Sequence, residues 1–132
     1  MYNYTTAGKE ILLQDNAFIV TETDSKGRIL FANDEFCKVA EYEKDELVGK
    51  HHNIVRHPDM PRAAFEDLWN TVKEGKVWSG YVKNKTKHGN YYWVFATVYP
   101  FKNEDGEQCF ISCRRKPARD QVEYFEKYYK TL

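Results

Sequence analysis

No apolar run in the 132 residues approaches the roughly 18 needed to cross a bilayer. The opening MYNYTTAGKE lacks the basic-then-apolar pattern of a secretory signal. Neither charge sign is in surplus: 20 Lys plus Arg balance 20 Asp plus Glu. That balance argues against a nucleic-acid partner, which calls for clustered basic excess. Cysteine is scarce, with only Cys37, Cys109 and Cys113. Cys109 and Cys113 lie four apart in an apparent strand, about 13 Å at about 3.3 Å per residue, too far for a disulfide. Reduced thiols and a cytoplasmic setting are the expectation. There is no GxSxG, no GxxxxGK[ST], no GxGxxG and no HExxH, so catalysis is not expected. No CxxC pair suggests a metal centre.

Aromatic rings, in contrast, are abundant: 3 Trp, 10 Tyr and 8 Phe, beside only 2 Met and few Leu. Rings can pack a dense core or leave a flat slot for a planar ligand, and composition does not choose between the two. The length suits one domain with one core. A β-type run from Phe18 to Thr23 ends in the turn signal Asp24-Ser-Lys-Gly27, and 28–32 reads as its hairpin partner. Asn33 is placed as a helix N-cap before Asp34 and Glu35, with Phe36, Val39 and Ala40 on one helical face. Residues 41–60, broken by Gly49 and Pro58, predict short turns.

The clearest helix starts with Pro61 at its first position, carries Phe65, Leu68, Trp69 and Val72 as its stripe, and stops at Gly75. Three strands follow, at about 77–86, 90–101 and 107–116, with turns at His88-Gly89-Asn90 and Asp105-Gly106. This order predicts an α+β domain: an antiparallel sheet with helices gathered on one face. In the 90–101 strand, Tyr92, Val94, Ala96 and Val98 alternate with Trp93, Phe95, Thr97 and Tyr99, so both faces need cover. The chain ends are the expected cover. Val122, Phe125, Tyr129 and Leu132 form an apolar stripe, flanked by Glu123–Lys127 and Glu126–Lys130 at ion-pair spacing. The expected organisation is a cap segment at 1–17, a central domain at 18–116 and a C-terminal amphipathic helix at 117–132.

Tyr42, Glu46, Leu47 and Gly49 form a Tyr-x-x-x-Glu-Leu-x-Gly motif preceded by Glu41. On this motif the chain over 18–116 resembles a PAS domain, a family in which a Gly is usual where Glu41 stands. The stretch His52-Asn-Ile-Val-Arg-His-Pro-Asp-Met-Pro61, followed by Trp78-Ser-Gly80 and Asn84-Lys-Thr-Lys-His-Gly89, is similar to the sensor domain of bacterial aerotaxis receptors. The resemblance implies a PAS fold: a five-stranded antiparallel sheet, helices on one face and flanking terminal helices. It also implies FAD held non-covalently, with its redox state reported to chemotaxis signalling. The implied partner is a membrane chemoreceptor-type transducer, either a separate protein or a signalling region of the same polypeptide. A homodimer through the sheet face is a further expectation. The domain itself is placed in the cytoplasm, at the membrane only through that partner.

A flavin asks for a ring slot, partners for its pyrimidine edge and a cation for its pyrophosphate. Asn84, near a strand end, offers a carboxamide donor and acceptor, and the resemblance puts it at the flavin edge; by itself it also reads as a turn cap. Trp69 and Trp78 are expected to wall the slot, and Gly80 to clear bulk for the ring. Arg56 and His57 bring positive charge, Arg with a planar fork suited to phosphate. The resemblance assigns Arg56, His57 and Asp59 to the cofactor stretch and adds Asn33, His52 and Tyr92 to the cofactor-binding set. His52 stands where the light-sensing flavin relatives carry their reactive Cys, so no cysteinyl adduct is expected. Two other readings stay open: a cofactor-free PAS interaction module, and a haem-binding gas sensor using one of His51, His52, His57 and His88.

Overall fold

The computed structural model describes residues 8–132. Strands β1 (Ile19–Asp24) and β2 (Ile29–Ala32) form a hairpin, followed by helices α1 (Asp34–Ala40) and α2 (Lys44–Leu47) and a 3₁₀ turn at His52–Val55. Helix α3 (Arg62–Lys73) leads into the meander β3 (Trp78–Lys85), β4 (Tyr91–Lys102) and β5 (Gln108–Arg115), and α4 (Arg119–Tyr128) closes the chain with a last 3₁₀ turn. The sheet has five strands in the order β2-β1-β5-β4-β3, every pairing antiparallel. Joining the first hairpin to the last strand puts β5 at the centre, between β1 and β4, and makes β2 and β3 the edges. Asn33 caps α1 as expected: its side chain accepts from the Phe36 N–H. Pro61 is the N-cap of α3 rather than its first residue, and the chain turns out of the helix at Gly75 with φ 83°.

The alternation in β4 sorts the sheet into two covered faces. Tyr92, Val94, Ala96 and Val98 are buried under the helices α1 to α3. On the opposite face α4 lays Phe125 on Tyr81 (ring centroids 4.7 Å) and Tyr129 beside Trp93 (6.1 Å). The Tyr129 hydroxyl donates to the Tyr81 carbonyl at 2.6 Å. Several details differ from the sequence expectation. Glu123–Lys127 and Glu126–Lys130 do not pair; Glu126 turns instead to the buried Lys83 at 3.4 Å. Leu132 lies past the helix and is exposed, so the apolar stripe ends at Tyr129. Of the cap segment expected at 1–17, residues 1–7 lie outside the described residues. Its remainder is not helical: it runs alongside β4, the Ile11 N–H donating to the Tyr91 carbonyl.

Candidate functional site

The strand registers lay the inner face of the sheet out in rows. Ile19, Arg114, Ala96 and Gly80 stand side by side across β1, β5, β4 and β3; Thr21, Ser112, Val98 and Trp78 form the next row. Over this floor sit the His52–Val55 turn and α3, and between the two layers lies a cavity of about 80 Å³ that opens to solvent. Thr21, Thr23, Val82, Asn84, Ala96 and Val98 line the floor together with Phe110, Ser112 and Arg114. His52, Val55, Arg56, Phe65, Leu68 and Trp69 form the roof. This explains an oddity of α3. Of its predicted core stripe only Val72 is fully buried, because Phe65, Leu68 and Trp69 face the cavity.

Two buried polar atoms of this lining have no hydrogen-bond partner: His52 Nε2 and Arg114 Nη1. Buried polar groups are ordinarily satisfied, so these two nitrogens have hydrogen-bonding capacity that no protein group takes up. Arg114 Nη2 donates to Thr21 Oγ1 at 2.9 Å, and its guanidinium stands 5.1 Å from the Phe36 ring centroid. Burial lowers the Arg114 pKa from its ordinary value; a guanidinium nevertheless keeps its charge in proteins. His52 lies between His51 (4.5 Å) and Trp69 (5.3 Å). Burial, with smaller contributions from the neighbouring His51, Arg114 and Arg56, pushes its pKa down to about 4. Its imidazole is therefore neutral at pH 7. The Arg56 guanidinium lies 4.2 Å over the Phe65 ring at the roof. No acidic side chain lines the cavity among the described residues. It is an apolar slot with cationic and amide groups at one side.

The residues expected at the site divide. His52, Arg56, Trp69 and Asn84 line the cavity; Asn33, His57, Asp59, Trp78 and Tyr92 do not. Besides capping α1, Asn33 holds β1, accepting from the Val20 N–H and donating to the Phe18 carbonyl. Trp78 folds back along its own strand, donating from Nε1 to Asp67 on α3 at 2.8 Å. Its indole covers Gly80 so closely that a Cβ there would meet the ring at 2.5 Å. The bulk that Gly80 clears is thus for Trp78, not for a ligand ring. Tyr92 stands on the same inner face as Ala96 and Val98 but outside the cavity lining, fully buried beside Asn84, its hydroxyl without a partner in hydrogen-bonding geometry and its pKa raised to about 12 by burial. His57 and Asp59 line a separate groove with Lys83 and Tyr91. There His57 Nδ1 accepts from the Asp59 N–H, and Asp59 takes the Lys83 ammonium at 2.9 Å, which lowers its pKa.

A family described as the PAS fold matches residues 29–114. The chain belongs to the PAS family. Over 120 residues this PAS domain is 42% identical to the aerotaxis receptor of Escherichia coli K12, covering 91% of this chain and 24% of that receptor. It is 32% identical over 95 residues to the biofilm dispersion protein BdlA of Pseudomonas aeruginosa (70% of this chain, 22% of that protein). The chain thus spans about a quarter of the length of these curated relatives. Among solved structures it is similar to the light state of the blue-light photoreceptor Aureochrome1 LOV, with a TM-score of 0.71 at 17% identity, covering 86% of this chain and 91% of the other. A PAS domain from Colwellia psychrerythraea gives 0.68 at 19% identity, covering 78% and 89%.

The residue that sequence reasoning missed in this PAS domain is Arg114. Its strand alternates Phe110, Ser112 and Arg114 on the inner face with Cys109, Ile111 and Cys113 on the outer. A charged residue in phase with Phe110, on a strand that must be central, was the available signal. Without the β1–β5 pairing, Arg114 reads as a frayed strand end next to Arg115 and Lys116. Thr21 and Thr23 carried the same signal, being buried polar positions of a half-apolar strand.

Proposed function

We propose that this PAS domain holds FAD with the flavin ring in the cavity between α3 and the sheet and serves as a redox sensor in chemotaxis-type signalling. The observation that carries the reading is the pair of unpartnered buried nitrogens, His52 Nε2 and Arg114 Nη1, in a slot otherwise walled by rings and aliphatic side chains. The donor set fits a flavin: an electron-rich heteroaromatic edge accepts from a guanidinium and exchanges both kinds of hydrogen bond with a carboxamide such as Asn84. The 42% identity to an aerotaxis receptor supports the redox and chemotaxis part, and a chemoreceptor-type transducer as partner.

When bound, the flavin supplies reversible uptake of electrons together with protons. The chain's own groups set the terms. Phe65, Leu68, Val82 and Trp69 exclude water and sandwich a planar group. Asn84 and Arg114 orient its polar edge. Arg114 also keeps a fixed positive charge in a place with no counter-anion, which favours electron-rich states of whatever lies beside it. Neutral His52 offers one donor or acceptor without adding a second full charge. Arg56, at the roof, is the cation for the pyrophosphate. His57 and Asp59 act one step back, holding the segment that carries Arg56; Asn33, Trp78 and Tyr92 hold the β1, α3 and floor positions around the slot.

Absorbance of the purified protein, oxidised and then reduced with dithionite, tests the reading. Flavin bands that bleach on reduction are expected, with FAD rather than FMN in the heat-released supernatant by chromatography. Asn84→Ala is expected to lose most of that colour. A colourless protein that releases no flavin overturns the proposal in favour of an interaction module, and a Soret band overturns it in favour of haem.

A further inference from the structure

Lys83 points to the outer face of β3 and is the most buried lysine position of the described residues, its side chain only 9% exposed. A buried ammonium is tolerated only with partners, and Lys83 has two from different parts of the fold. Its Nζ lies 2.9 Å from Asp59 Oδ2 and 3.4 Å from Glu126 Oε2, over the Tyr91 ring at 4.7 Å. Glu126 belongs to α4. Asp59 belongs to the segment 56–60, which closes the free edge of β3: Arg56 bridges to Asn84, and the Lys83 N–H donates to Met60 Sδ at 3.3 Å. One short segment therefore presents Arg56 to the cavity and, three residues later, Asp59 to Lys83.

We propose that Lys83 is a positioning residue that couples the cavity to the C-terminal helix, by holding the rim carboxylate Asp59 and the α4 carboxylate Glu126 on one ammonium. The coupling to occupancy rests on the reading above that the cavity takes a flavin. A ligand that engages Arg56 fixes the 56–60 segment, keeps Asp59 on Lys83 and so keeps Lys83 in place for Glu126. By linkage, the ligand binds more weakly with Glu126 released than with it held, by the factor by which the ligand favours the held state.

Hydrogen exchange of the full chain tests this with substitutions at two partly exposed carboxylates, which keep the lysine and the fold. Asp59→Asn touches nothing on α4 directly, yet is expected to speed exchange of the amides of 122–128 by about 5-fold or more, within the usual range of coupling between sites. Exchange in β1 and β5 should stay unchanged, which a general loss of stability would not allow. Lys83→Arg, which keeps the cation, is expected to retain wild-type protection of α4. If Asp59→Asn leaves α4 exchange as in wild type, the proposal is overturned. This arm needs no flavin. In the second arm, FAD titration of apo-protein is expected to show Glu126→Gln weakening FAD, by at most the factor by which FAD protects α4 in the wild type. FAD binding with an affinity unchanged by Glu126→Gln overturns the link to the cavity while leaving the function standing. A protein that takes up no FAD overturns the proposed function, and the cavity link with it, whatever the first arm shows.

Discussion

His52 is the residue whose chemistry departs furthest from what its type allows in water. Its ring is enclosed by His51, Trp69 and the cavity floor, and its pKa falls from 6.5 to about 4, chiefly because burial penalises the charged form. The consequence for stability has a definite sign. Between pH 6.5 and pH 4 the unfolded chain binds a proton at His52 that the folded chain refuses. Acid therefore favours unfolding, and the contribution, complete above pH 6.5, is lost as pH falls toward 4. The loss between pH 8 and pH 5 is about 2 kcal/mol at most, from about 1.4 kcal/mol per pKa unit. Urea unfolding at the two pH values should show the wild-type midpoint dropping more than that of His52→Gln, whose side chain does not titrate. Equal drops in the two proteins would assign the acid sensitivity elsewhere, and with it the neutral state on which His52's place in the cavity depends.

At the level of elements, α3 and β3 are tied by Trp78, and the tie explains a glycine. The indole lies flat along its own strand over Gly80 and ends in the hydrogen bond to Asp67. Gly80→Ala puts a methyl 2.5 Å from two ring atoms, so the indole must lift and lengthen that bond. A cost of about 1–3 kcal/mol is expected from overpacking of this kind. Urea unfolding should measure it, with a red-shifted Trp emission reporting the partly exposed ring; an unshifted spectrum and unchanged midpoint would mean the ring has room to spare. The same pair shows what could be read from the chain alone. Periodicity located the first hairpin, α1, α3, the meander and α4, because each buries one face and its apolar spacing records that face. It also gave the cover of the second sheet face, since a strand as apolar as Tyr92–Tyr99 on both sides implies one. Contacts that skip neighbouring elements leave no such spacing. Trp78 stands in phase with Val82 and Asn84, yet its ring bends away from them. Glu126 stands at pairing distance from Lys130, yet goes to Lys83, forty-three residues back. Arg114 entered the cavity only once β5 was placed between β1 and β4.

Considered as a whole, the molecule is a sheet whose two faces do different work. The inner face carries a slot that leaves an arginine atom and a histidine atom without partners, and the outer face carries a helix held by rings and by Lys83. A protein that keeps an uncompensated cation inside is less stable than it need be, and the deficit is recovered only when something binds. That trade-off can be measured at the level of global stability. A ligand that binds only the folded state raises its stability by RT ln(1 + [L]/Kd), about 2.7 kcal/mol at a hundredfold excess over Kd. Added FAD should therefore raise the unfolding midpoint of wild-type apo-protein steadily with the logarithm of its concentration. Arg114→Met fills a similar volume without charge. Without FAD its stability is expected to lie within about 1 kcal/mol of wild type or above it, as when a poorly compensated buried charge is replaced by an apolar group. With FAD its gain should be smaller, because a charge-assisted hydrogen bond of about 1.5–3 kcal/mol is gone from the complex, which weakens binding about tenfold or more. If Arg114→Met instead unfolds readily without FAD and gains as much from FAD as wild type does, the arginine belongs to the architecture of β5 and Thr21, and the unpartnered nitrogen has no role in holding the ligand.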